Sequence, residues 1–104
     1  VHVPVLAEAA LAWLRPKPGG VYIDCTAGAG GHSILIAERM GEGRLLALDR
    51  DRTAVGRVRE RLSGFPGAEV LHRNYAELAE AARERGVEAA DGILLDAGCS
   101  SMQL

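Results

Sequence analysis

Apolar positions along this chain alternate between two spacings. In "PVLAEAALAWL" the residues Leu6, Ala10, Trp13 and Leu14 fall on one helical face after Pro4, whose fixed φ suits a first helical turn. The breaker cluster "PKPGG" ends that helix. "VYIDC" is a short, uninterrupted apolar run and predicts a buried strand. "GHSILIAERM" returns to helical spacing and closes at Gly41, placed as the residue just past a helix end. "RLLALD" predicts a second strand, and "RDRTAVGRVRERL" a helix with Asp51 as its N-cap. After the turn "SGFPGA" come a third, weaker strand "EVLHRN" and a helix "YAELAEAARERG" ending at Gly86. A fourth strand, "DGILLD", is followed by a loop, "AGCSSMQL".

Four strands alternating with helices imply an α/β fold with a doubly wound, mostly parallel sheet. Right-handed crossovers place helices on both of its faces. No helix follows the fourth strand to cover it, so residues 1–104 read as the N-terminal part of an incomplete domain. No repeat or linker divides them.

Composition narrows the partners. The residues are 48% apolar and 25% charged, ordinary for a globular domain, and the net charge of −2 supplies no overall basic field for nucleic acid. An RNA partner would need a local patch. No apolar run reaches membrane-spanning length and the first residues lack a basic leader, so a cytoplasmic protein without membrane contact is expected. Cys25 and Cys99 are too few for a disulfide framework and form no C-x-x-C pair, so no metal site is expected.

The chemistry concentrates in "DCTAGAGGHS", residues 24–33, between the first strand and its helix. Gly28 and Gly30 fit the first two positions of the dinucleotide fingerprint G-x-G-x-x-G, but its third position falls on Ser33 and Gly31 is out of step. Asp49 ends the second strand 19 residues after Gly30, where a carboxylate can accept hydrogen bonds from ribose hydroxyls. That supports an adenosine ligand without separating NAD from S-adenosylmethionine. Asp24 and Asp96 end the first and fourth strands. If those strands are neighbours, both carboxylates are expected to overlook the ligand crevice. There they would repel a pyrophosphate and favour the sulfonium and ammonium of S-adenosylmethionine.

"HVPVL", "DCTAGAGGHS", "ALDRD" and above all "DGILLDAGCSSMQL" resemble the bacterial 16S ribosomal RNA cytosine-N4 methyltransferase family, over essentially the whole chain. The resemblance implies a Rossmann-like class I methyltransferase of about three times this length, acting on a cytosine N4 of small-subunit ribosomal RNA or the 30S particle, with S-adenosylmethionine as cofactor. It also implies cofactor contacts from Gly30, Gly31 and His32 in the loop, from Asp49 at the ribose, from Tyr75 against adenine, and from Asp96 and Gln103. Ala29, where family members often carry arginine, and Cys99, where an aliphatic residue is common, are departures.

Other readings stay open at this point. Methyl transfer needs chiefly a positioned nucleophile and a proton acceptor. Asp96 and the Ser100–Ser101 loop stand where acceptors for an amine are needed, but no catalytic residue or oligomeric state is assigned. Cys99 could be a nucleophile of the cytosine-C5 type, though no Pro-Cys pair precedes it. Cys25 reads as a small buried filler, and Tyr75 has an alternative as a core residue. His32 could contact cofactor, do acid–base work or simply pack; His2 and His72 have no identifiable partner. Arg50, Arg52, Arg57, Arg59 and Arg61 form a basic run that is either a solvated face or an RNA contact. An NAD-dependent oxidoreductase fragment and a non-catalytic Rossmann-like binding module remain the competing functions.

Overall fold

Side chains alternate between the two faces of a strand, and here that sorts the apolar residues into two separate cores. The computed structural model describes residues 11–30, 32–95 and 98–103, the side chains of 29, 30 and 98–103 excepted. A helix, α1, is described over residues 11–14. Then follow β1 (Val21–Asp24), a helical turn α2 (Ala27–Gly30), α3 (His32–Met40), β2 (Arg44–Asp49) and α4 (Arg52–Arg61). The chain continues through β3 (Ala68–His72), a 3-10 turn (Tyr75–Glu77) leading into α5 (Leu78–Glu84), β4 (Ala89–Leu95) and β5 (Gly98–Gln103).

The sheet order is β3-β2-β1-β4-β5. The first four strands are parallel, as the alternation of strands and helices predicts, and β5 is antiparallel to β4. The expected loop "AGCSSMQL" is thus a strand over most of its length. The outer edge of β4 needs hydrogen-bond partners, which the returning segment supplies. Its small and polar residues carry no apolar alternation, so nothing in the pattern announces a strand.

Tyr22, Leu45, Ala47 and Val70 face one side, with Leu14, Ile36, Met40, Val55 and Val58 from α1, α3 and α4. Ile23, Leu46, Leu48, Leu71 and Ile93 face the other, against Ala81 and Ala82 of α5. The crossovers from β1 to β2 and from β2 to β3 therefore use one face. The crossover from β3 back past β1 to β4 uses the other. Strand order reverses between β1 and β4, which is where an open α/β sheet leaves a crevice beyond its carboxyl ends.

Local expectations hold at several ends. Asp51 caps α4 by accepting from Thr53 N, and Gly41 sits at φ +56° just past α3. One does not: Trp13 is exposed while Leu11 and Leu14, three residues apart, supply the face of α1 that meets the core. Pro4, Leu6 and Ala10 lie outside the described residues. Arg59, one of the basic run, is used structurally. Its Nη2 donates to Val70 O at 2.9 Å and so occupies an acceptor on the outer edge of β3.

Candidate functional site at the carboxyl ends of β1, β2 and β3

Asp24, at the end of β1, is fully buried and turned into its own loop. Its Oδ1 accepts from Thr26 N and Thr26 Oγ1, both at 2.7 Å, and its Oδ2 accepts from Ser33 Oγ at 2.6 Å. Overlooking the crevice, the role expected of it, is therefore not its position. A buried carboxylate needs donors, and the loop folds back to provide three of them. In doing so it ties the end of β1 to the first turn of α3.

Asp49, at the end of β2, does the same for the next stretch. Its Oδ2 accepts from Gly28 N at 2.9 Å and its Oδ1 from Asp51 N at 2.8 Å. The glycine-rich segment, expected as a loop, winds into the single turn α2, and the Asp49 carboxylate holds it there. Gly28 is required by close approach: a Cβ at that position would meet the Asp49 carboxylate and lie 2.6 Å from Ala54 Cβ. A carboxylate offers about four lone-pair positions, so each oxygen of Asp49 retains one for a further donor. Asp49 is only half-buried and can use them.

Beyond these strand ends lies a cavity of about 280 Å³, close to the ~300 Å³ lower end for small-molecule sites. Cys25, Thr26, Asp49, Arg50, Arg73 and Tyr75 are among its lining residues. Tyr75 is 69% exposed, which removes the core reading and leaves its ring as a face at the cavity wall. A capping box holds the turn that carries it: Asn74 Oδ1 accepts from Ala76 N at 2.7 Å, and Glu77 Oε1 accepts from Asn74 N at 3.1 Å. His72 Nε2 lies 2.9 Å from Arg50 O; since a carbonyl only accepts, the ring donates there and ties the end of β3 to the loop after β2. Arg73 is fastened from behind by Glu77, Glu80 and Glu84, the last at 3.0 Å.

Asp49 and Tyr75 are thus brought together; Gly30 ends α2 and the buried His32 opens α3, and neither is among the residues that line the cavity. Gly31 and Asp96 lie outside the described residues. Gln103 is not gathered with the others. It pairs with Ala89 at the start of β4, whereas the site lies at the strands' carboxyl ends. The physical reason is β5 itself, whose five steps back along the sheet carry Gln103 roughly 17 Å from the turn. Residues that the sequence did not flag for the site are Thr26, Arg73 and Asn74; Cys25, expected as a filler, is partly buried against the second core and also lines the cavity. Only the box at Asn74 had a readable signal, the Asn-x-x-Glu spacing before an amphipathic helix.

A larger groove of about 510 Å³ runs beside β3, lined by Arg59, Glu69 and Arg85 among others. It is open and crossed by the Arg85–Glu69 ion pair at 3.0 Å, and it runs along the strand's flank rather than past its end. The strand-end cavity is the better candidate because the fold rule and the polar groups converge there.

The whole chain, residues 1–104, matches the model of the MraW methylase family. Ribosomal RNA small subunit methyltransferase H of Nitratidesulfovibrio vulgaris is 47% identical over 106 residues, covering 100% of this chain and 29% of that protein. The chain therefore spans less than a third of that relative's length. Among solved structures, a methyltransferase homolog protein from Pyrococcus horikoshii is similar with a TM-score of 0.64 and 27% identity, over 72% of this chain and 26% of that one. A SAM-dependent O-methyltransferase from Thermotoga maritima has a TM-score of 0.64 at 19% identity, over 74% of this chain and 31% of that one, a likeness of fold alone. The architecture is the Rossmann-like one of these methyltransferases.

Proposed function

We propose, from the fact that this chain belongs to the MraW methylase family, that it forms the N-terminal segment of an S-adenosylmethionine-binding domain. The protein carrying it would methylate N4 of a cytosine in small-subunit ribosomal RNA. The small-subunit RNA is the one in the name of its relatives, ribosomal RNA small subunit methyltransferase H; the N4 position comes from the resemblance of the segment after β4. Gly30, Gly31, His32, Asp49, Tyr75 and Asp96 are the proposed cofactor residues. Gln103 takes part only if β5 is rearranged.

The observation that carries the cofactor is the use made of the glycine segment's own N–H groups. In a dinucleotide site such groups face a pyrophosphate. Here Thr26 N is taken by Asp24 and Gly28 N by Asp49, both carboxylates. A pyrophosphate would lose two donors and meet two negative charges behind the turn. A ligand with a sulfonium and an ammonium meets the opposite balance. The lone pairs left on Asp49 suit the two ribose hydroxyls, and the exposed Tyr75 ring offers adenine a stacking face.

Bound S-adenosylmethionine would supply an electrophilic methyl group. The chain's part is then to hold the ribose and adenine at Asp49 and Tyr75 and to orient the acceptor amine. Asp96, Ser100 and Ser101 are proposed as acceptors for that amine's hydrogens. For the RNA, Arg50, Arg52, Arg57 and Arg61 are exposed and make no ion pair with any described residue, which leaves their charge available to phosphates. No helix among the described residues is long and apolar enough to cross a membrane, and a cytoplasmic location is proposed with the RNA substrate.

The test is a methylation assay on small subunits from cells lacking the modification, beside the same RNA stripped of protein. Transfer of one methyl group, placed on cytosine N4 by mass spectrometry of nucleosides, is expected. Binding of S-adenosylmethionine with no transfer to either substrate would leave the non-catalytic module as the function. Methylation at C5 would instead revive Cys99 as a nucleophile.

A further inference from the structure

We infer that Arg73 is a positioning residue: through Glu77 it fixes the turn that presents Tyr75 to the cavity. Its effect on a ligand rests on the reading that Tyr75 stacks on adenine; its hold on the turn does not. Glu77, Glu80 and Glu84 stand at i, i+3 and i+7 from the 3-10 turn into α5, and so share one face. Carboxylates so spaced repel one another. Among the described residues, Arg73 is the cation within ion-pair distance of all three, and of each of them the sole one. Its Nε lies 3.5 Å from Glu77 Oε2, and its Nη2 lies 3.5 Å from Glu80 Oε1 and 3.0 Å from Glu84 Oε2. Nη1 also donates to Glu84 Oε1 at 3.4 Å, so two prongs of the guanidinium grip that carboxylate. The arginine side chain is 22% exposed and each glutamate is more so, which makes the cation the fixed member of the cluster.

Glu77 is the link to the site. Its Oε1 accepts from Asn74 N inside the capping box, while its Oε2 faces Arg73. Tyr75 stands between Asn74 and Glu77 in the chain, so the turn that aims its ring is closed by a carboxylate held from the other side by the arginine. Arg73 Nε is buried and makes no hydrogen bond with a described residue, which leaves the Glu77 charge to compensate it. The ring itself is 69% exposed and has little packing to hold it, so its direction is that of the turn. Arg73 N also donates to Asp49 O at 3.1 Å, so one residue ties the strand end that bears the ribose acceptor to the wall offered to adenine. Without the guanidinium, Glu77 would face Glu80 with no cation between them, and the box would lose its outer support.

Arg73→Met removes the charge and keeps an unbranched stem. In the intact protein it is expected to weaken S-adenosylmethionine and S-adenosylhomocysteine alike, by about fivefold each, the upper scale for partly exposed ion pairs. Charge alone predicts the opposite sign: with a cation gone beside the cavity, cationic S-adenosylmethionine would bind more tightly and S-adenosylhomocysteine, whose charges cancel, would not change. Tyr75→Ala is expected to weaken S-adenosylmethionine about tenfold, the scale of one stacked base. Adding Arg73→Met to it should then cost less than about twofold more, because the arginine acts through the ring. Arg73→Lys keeps a point charge that cannot span three carboxylates, and should fall between the parent and Arg73→Met. Amide hydrogen exchange without ligand reads the turn itself: Asn74 N–H should exchange about fivefold faster in Arg73→Met while the amides of β1 and β2 keep their parent rates. Tighter S-adenosylmethionine binding, full additivity with Tyr75→Ala, or unchanged exchange at Asn74 would each overturn the inference. If Arg73→Met does not fold, Arg73→Lys carried through the same cycle and the same exchange measurement decides. A parent that binds neither ligand would overturn the proposed function, while exchange at Asn74 still decides whether Arg73 holds the turn.

Discussion

Asp49→Ala is expected to weaken S-adenosylmethionine binding about a hundredfold. The carboxylate lines the cavity and each of its oxygens keeps one lone pair for a further donor, and hydrogen bonds to a charged group contribute about 1.5–3 kcal/mol each. Two such bonds to ribose hydroxyls come to about 3 kcal/mol, or roughly two decades in Kd. The same substitution strips Gly28 N of its acceptor and releases α2 from β2, so part of the loss is disorder of the loop. Asp49→Asn separates the two parts. One of the amide's two polar atoms is a donor, so it must face either Gly28 N–H or Asp51 N–H with a donor against a donor. Asparagine should therefore recover less than half of the lost binding energy. Calorimetric titration of the intact protein checks both, and a loss under about threefold for alanine would remove Asp49 from the ribose site.

Gly28→Ala is the second large effect, and its sign is what makes it informative. The added methyl lies 2.6 Å from Ala54 Cβ, on a helix residue that is only 3% exposed and has no flexible end to move. On its other side stands the Asp49 carboxylate. Overpacking of this kind costs roughly 1–3 kcal/mol, and relief by rotating Asp49 would spoil the ribose contact as well. Stability and cofactor affinity should fall together. Gly56→Ala in the middle of α4 is the control: it is exposed, nothing lies within 4 Å of its added Cβ, and alanine is the better helix former by up to about 1 kcal/mol. Denaturant unfolding should show the two identical replacements moving the midpoint in opposite directions. Equal behaviour would mean that α2 does not pack on α4 and Asp49 as described.

The parallel core of the fold is legible because its physics is periodic. Tyr22 against Ile23, Leu45 against Leu46 and Val70 against Leu71 alternate between two faces, and the helices between them carry readable end signals, Asp51 where α4 opens and Gly41 and Gly86 where α3 and α5 close. β5 is not legible because it follows from an unpaired neighbouring edge and not from its own residues. Trp13 was misplaced for a related reason: it sits one residue from Leu14, and a single step around a helix turns a side chain by about 100°, off the core face.

The site divides along the same line. Asp49 is expected from its position at the end of the second strand and Tyr75 only from the family resemblance, and the fold brings them to one cavity. Asp24 carries the same sequence signal as Asp49 and has a different fate, because Thr26 and Ser33 fold around it and supply its donors. A carboxylate at a strand end reads alike whether it faces a ligand or its own loop; only the count of nearby donors tells them apart. With Asp24 turned into its own loop, S-adenosylmethionine is favoured over a dinucleotide by which loop N–H groups remain available, and not by two acids facing the crevice.

The central claim is that this strand-end cavity is built for S-adenosylmethionine and not for a dinucleotide. The most direct measurement is a pair of calorimetric titrations of the intact protein, one with S-adenosylmethionine and one with NADH, under the same buffer and salt. Saturable binding of one S-adenosylmethionine with no heat of binding from NADH is the predicted result. Saturable binding of NADH without S-adenosylmethionine would contradict it, since a pyrophosphate would then be held at a turn whose Thr26 and Gly28 amides are already committed to Asp24 and Asp49.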